Sequence, residues 1–212
     1  MRFSLILSFF VISSVEIVQG QSAFVKLGQK ALIDGDFKSA VQHLEKACIT
    51  DSTNSNALWM LGYSYYHCES YQNSIAAYSK LISIKPADAS AYYFRSRSKS
   101  FLGKDARMSS EEKEKNLLGA IVDLTKAITI DKNDLKFYQN RGIAYRDYAL
   151  FKLQKGNKFY DKNRGINSLR ASITDLQKVL TESPGRKDIV LQLEMSKDQL
   201  NKALLINAST DR

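Results

Sequence analysis

The sequence predicts an all-α fold of stacked helix pairs, and three observations lead there. The first is internal repetition: SIAAYSKLISIKP (74–86), AIVDLTKAITIDK (120–132) and SITDLQKVLTESP (172–184) are versions of one pattern, and such self-similarity signals a helical array. The second is proline usage, confined to Pro86 and Pro184, which suits long uninterrupted helices. The third is composition: 44% hydrophobic and 25% charged residues match an ordinary globular protein rather than a disordered one. A chain of 212 residues has room for one domain or one compact array.

The first element is residues 1–20, MRFSLILSFFVISSVEIVQG. Arg2 supplies a positive start, Phe3 to Ile12 form an apolar run, and Val18 and Gly20 provide small residues before Gln21. The run is about half the ~20 residues needed to span a bilayer, so the segment reads as a cleaved secretory signal rather than an anchor. No Cys follows the run, which argues against a lipid-anchored lipoprotein. The expected location is therefore periplasmic or secreted. Arg2 and Glu16 cancel, so the mature chain keeps the net charge of +9.

Counting back from the three echoes gives a frame of about 34 residues that starts at Gln21, Ser55, Ala89 and Leu135. Frame position 8 is Gly28, Gly62, Ser96 and Gly142; position 20 is Ala40, Ser74, Ala120 and Ser172; both prolines fall on position 32. Small residues at 8 and 20 let two helices approach closely, and large ones beside them fill the remaining space. Each pair leaves an apolar face that only the next pair can cover, so several must stack.

With Leu58, Leu61, Gly62, Tyr65, Ser74, Tyr78 and Pro86 in place, the chain resembles the tetratricopeptide repeat family. The resemblance covers essentially all of residues 21–184 and implies an α-solenoid of tetratricopeptide-type helix pairs. The expected segments are repeat one (21–54), repeat two (55–88), repeat three with an insertion (89–134), repeat four with a basic insertion (135–184), a C-terminal capping helix (185–206) and a tail (207–212). The cap is read from Ile189, Leu193, Leu200 and Leu204 at near-helical spacing among charges, since an open array needs a solvated end.

Repeat three carries about twelve extra residues between its helices and repeat four about eighteen, by comparison with the frame. Ser109 and Ser110 followed by Glu111 and Glu112 read as a helix start, so both insertions are expected to lengthen helices rather than add slack loops. Position 7 is Leu27 and Leu61 in the first two repeats but Arg95 and Arg141 in the others. Position 23 changes in step, from His43 and Ala77 to Asp123 and Asp175. Two intra-repeat ion pairs, Arg95–Asp123 and Arg141–Asp175, are therefore expected.

Catalytic signatures are missing from the sequence: there is no HExxH, no paired CxxC, no phosphate-cradling glycine loop and no nucleophile elbow. His67 and Cys68 are adjacent, but neighbours on a helix point about 100° apart and do not converge on one atom. No enzymatic activity, metal, cofactor or small-molecule substrate is expected. Cys48 sits near the end of one second helix and Cys68 near the end of the following first helix. Those neighbours run antiparallel, which separates the thiols by roughly 15 Å, beyond the ~7 Å limit for a disulfide. Both cysteines are expected to be free.

The family resemblance further implies that first helices line a concave face through frame positions 2, 5, 9, 12 and 13. In WMLGYSYYH (59–67) this selects Trp59, Tyr63, Tyr66 and His67; repeat three adds Tyr93 and Arg97, and repeat four adds Lys136 and Arg146. Tyr, Trp and Arg dominate binding hot spots, so these eight are the candidate partner-binding residues; the competing reading is that the rings pack against adjoining helices or the insertions. The family's peptide-carboxylate clamp is not implied, because its positions here hold Val25, Gln29, Met60, Ser90 and Phe94, none cationic.

A second candidate surface is 146–170, with seven Lys or Arg against two Asp and with Tyr148, Phe151, Phe159 and Tyr160 interleaved. Outside the cytoplasm this composition suits an anionic envelope surface or an acidic protein rather than nucleic acid; alternatively, it is a solvated hairpin whose aromatics seal its own base. The leading expectation is an exported scaffold capturing a protein or peptide segment in its concave groove. The alternative is a structural envelope factor acting through 146–170.

Overall fold

The computed structural model describes residues 23–205, and every described regular element is an α-helix. The signal segment and the tail from 206 onward lie outside the described residues. The chain divides into two compact units, one through Pro86 and the other from Ala87. Unit 1 holds α1 (residues 23–33), α2 (Phe37–Thr50), α3 (Ser55–His67) and α4 (Tyr71–Ile84). Unit 2 holds α5 (Ala89–Lys104), α6 (Ser110–Ile130), α7 (Leu135–Leu153), α8 (Lys162–Glu182) and α9 (Lys187–Leu205).

Most helices start where a side chain can satisfy an orphan backbone donor. Asp36, Asn54, Asp88, Asp134 and Asp161 each accept an N–H from the first turn of the following helix, at 2.9–3.0 Å; such a cap is worth about 1 kcal/mol. The expected helix start holds at Ser109, which forms a reciprocal capping box with Glu112. The turns after α1 and α3 close in the same way. Asp36 N–H reaches Ala31 O and Ser70 N–H reaches Tyr65 O, both at 2.9 Å, with a left-handed residue between helix and turn. That residue is Gly35 (φ 76°) in the first repeat and Glu69 (φ 57°) in the second, both at frame position 15.

Small residues at position 8 hold the pairs together. A Cβ on Gly62 would lie 2.8 Å from the Tyr78 ring, closer than real contacts allow. The cores then run from the second helix of one pair to the first helix of the next, as single pairs with uncovered faces require. Leu44 and Ala47 of α2 pack with Ala57 and Leu61 of α3. In unit 2, Leu117, Ile121 and Leu124 of α6 pack with Ala144, Tyr148 and Phe151 of α7. Leu176 and Val179 of α8 pack with Ile189 and Leu193 of α9, the cap.

Both insertions lengthen helices, and the second also adds an irregular connection at 154–161. α6 and α8 each run 21 residues, against 14 for α2 and α4. The two expected ion pairs form as bidentate forks. Arg95 donates from Nε and Nη2 to Asp123 at 2.9 and 2.6 Å, and Arg141 to Asp175 at 2.8 and 2.9 Å. Both carboxylates are nearly sequestered, with side chains 3% and 7% exposed. Asp123 also accepts from Lys99 at 2.8 Å, a contact the repeat frame does not announce.

Candidate aromatic binding surface

Residues 59, 63 and 67 are four apart on α3 and so share one helix face. Their rings form a continuous row. Trp59 and Tyr63 stack at 5.4 Å and 10°, and Tyr63 meets His67 at 4.4 Å and 53°. Phe37 completes it, stacking on His67 at 4.4 Å and 12° and meeting Tyr63 edge-on at 6.2 Å. Trp59, Tyr63 and Phe37 are half-buried and His67 is exposed.

Phe37 was not among the residues selected by frame position, since it opens the second helix of repeat one. A signal for it existed: α2 and α3 are antiparallel, so the first residue of α2 must lie beside the last residue of α3. The same geometry separates the two cysteines, which are free and partly buried. Burial pushes both thiols up from their ordinary range, so neither is a ready thiolate.

Tyr66 departs from the expected row. It is 8% exposed and packs edge-on to Tyr71 at the start of α4 and to His67. Its helical position turns it into the α3–α4 interior, where it supports His67 from behind.

In unit 2 the candidates do not converge. Tyr93 leans on Phe137 at 5.6 Å and carries the Arg97 guanidinium 5.9 Å above its ring, forming a local aromatic–cation pair. Lys136 is exposed and paired with Asp134 at 3.3 Å. Arg146 is 7% exposed and donates to the Gln192 carbonyl of α9 at 3.2 Å. Burial lowers its pKa from the ordinary arginine value. The cap helix covers the face that position 12 would otherwise present, so Arg146 fastens α9.

The basic insertion is tied down rather than evenly exposed. Lys152 is 4% exposed, paired with Glu114 and set among the rings of Tyr148, Phe151 and Phe159 at 5.3–6.0 Å. Lys158 pairs with Glu111, and Asp147 pairs with Lys104 at 3.0 Å. Its aromatics Tyr148 and Phe151 are core residues. Acids from the first insertion therefore answer cations of the second. Among the described residues no group of three or more His, Cys, Asp or Glu is placed to hold a metal. No described helix is long and apolar enough to cross a membrane.

Comparison with known proteins places this geometry in a family context. Residues 55–88, repeat two, match the tetratricopeptide repeat family. The fold is similar to a crystal structure of MamA, with a TM-score of 0.67 at 18% identity over 88% of this chain and 87% of that one. It is also similar to a thermophilic TPR protein of Thermus thermophilus, with a TM-score of 0.51 at 16% identity, covering 83% of this chain and 98% of that one. The first TPR of Spaghetti, solved with the HSP90 peptide SRMEEVD, aligns with a TM-score of 0.51 at 18% identity, covering 71% and 96%. Curated protein sequences provide no match. The chain thus carries a tetratricopeptide repeat at residues 55–88 and has the all-α solenoid fold of these structures.

Proposed function

We propose that this chain is an exported protein-interaction scaffold in which the aromatic row of α3 captures a segment of a partner protein. The observation that carries the reading is the continuous Trp59–Tyr63–His67 row closed by Phe37. Preassembled rings offer large area with little side-chain entropy left to lose, the property that makes aromatic residues binding anchors. The similar fold of the Spaghetti domain holds a peptide, which supports a peptide-sized partner segment here. Arg97 over Tyr93 is a smaller surface of the same kind on unit 2. Lys136 and Arg146 lie outside the proposal, and Tyr66 enters it as a support of His67.

The insertion 146–170 is not assigned an envelope-binding role, because Arg146 and Lys152 are buried and Lys158 is engaged by Glu111. Export rests on the reading of residues 1–20, and its test is N-terminal sequencing of protein recovered from fractionated cells. A mature start at Gln21 is expected; recovery of intact Met1 in the cytoplasmic fraction would remove export from the proposal.

Trp59 is the only tryptophan in the chain, so intrinsic fluorescence reports the proposed site directly. Titration with a bound partner segment should shift the emission, and raised salt should leave the affinity nearly unchanged, since ring contacts are not screened. Trp59→Ala should weaken capture by about 2 kcal/mol or more, the scale of a hot-spot truncation.

A further inference from the structure

Unit 2 contains a cleft of about 570 Å³ that the proposed capture surface does not use, within the roughly 300–1,000 Å³ of small-ligand pockets. It opens among the C-terminal ends of α5, α7 and α9 and the beginnings of α6 and α8. Its walls are apolar: Leu117, Leu150, Phe151, Leu153 and Ala203 all line it. They are held at this spacing by two close helix approaches. A Cβ on Gly103 would lie 2.6 Å from Leu117, and one on Gly165 would lie 2.6 Å from Leu153, so the hairpins close tightly behind the cleft and leave the front open.

The rim has the opposite character. Lys104, Lys113, Lys155, Lys162 and Lys202 line the same cleft, and Asp147 is the one acid among its lining residues, answered by Lys104 at 3.0 Å. Lys113 and Lys155 also border an adjoining hollow of about 310 Å³ whose other lining includes Ser110, Gly156 and Asn157. An apolar trough thus meets a polar hollow at a pair of lysines.

We propose that this cleft binds a single-chain anionic amphiphile, a long-chain carboxylate, with its chain along Leu117, Leu150 and Leu153 and its head at Lys113 and Lys155. Burial of the chain supplies affinity, and the excess of cations selects the charged head over a neutral one. The site goes beyond the partner-capture reading, and it depends on none of that reading's residues.

The test is calorimetric titration of the full chain with laurate below its micelle-forming concentration, beside dodecanol and acetate. Laurate should bind at one equivalent, with the uncharged chain and the chainless head each at least about tenfold weaker, as loss of charge-assisted contacts or of the buried chain requires. Leu150→Glu, at a wall position 41% exposed, and Lys113→Glu with Lys155→Glu should each weaken laurate about tenfold. Lys155→Gln is a milder variant at an exposed loop position and should weaken it about threefold without affecting folding. Trp59→Ala should leave laurate binding unchanged. No heat with laurate, acetate as tight as laurate, or laurate binding indifferent to the cleft variants would each overturn the proposal. So would binding only to phosphatidylglycerol vesicles, which would assign the lysines to a bilayer surface.

Discussion

Glu69 occupies the left-handed region that Gly35 occupies one repeat earlier, and a side chain there costs roughly 1 kcal/mol. Glu69→Gly should therefore raise stability by a few tenths to about 1 kcal/mol, the gain from relieved strain being offset by glycine's larger unfolded-state entropy; thermal melting reads the difference, and an unchanged or lower Tm contradicts it. The ion pairs make a second residue-scale prediction. Arg141→Leu should cost about 3 kcal/mol by leaving Asp175 buried without its fork. Combining Arg141→Leu with Asp175→Ala should recover most of that loss, because repeat two already packs Leu61 and Ala77 at the same frame positions. Chemical denaturation of the two single variants and the double variant checks this. These pairs were legible in the sequence because an Arg at position 7 appears only where an Asp appears at position 23. Tyr66 and Arg146 were not legible as supports. Frame position says which way a side chain leaves its own helix, whereas their burial is decided by Tyr71 and by the cap helix laid over them.

At the scale of elements, the lengthened α5–α6 and α7–α8 hairpins behave as a single reinforced block. Their helical character could be read from the capping signal at Ser109 and from the scarcity of breakers. What could not be read was their mutual attachment, since Glu114 and Lys152 are far apart in sequence and each alone looks like a solvated charge. In the structure Lys152 is enclosed by three rings and met by Glu114. Glu114→Leu should destabilise unit 2 by about 3 kcal/mol, the loss expected when one partner of a buried pair is removed. Lys152→Met in the same background should restore most of it. Thermal melting checks both variants, and unchanged melting in each would place the attachment in the apolar contacts of Tyr148 and Phe151 instead.

For the whole molecule, α3, α5 and α7 begin at Ser55, Ala89 and Leu135, where the frame of small residues restarts. The division at Pro86–Ala87 was not visible, because the frame passes from repeat two to repeat three without a break in spacing. The division assigns the Trp59–Tyr63–His67 row and the Tyr93–Arg97 pair to different units, and the capture proposal accordingly rests on the first alone. Quantitative pull-down from the native compartment with wild-type protein, Trp59→Ala/Tyr63→Ala and Trp59→Phe, each checked for an unchanged melting temperature, tests capture by the aromatic row. Partners held by the wild type and by Trp59→Phe should fall at least about tenfold with the double alanine variant, as loss of two aromatic anchors implies. Equal recovery by all three proteins would contradict capture by the aromatic row.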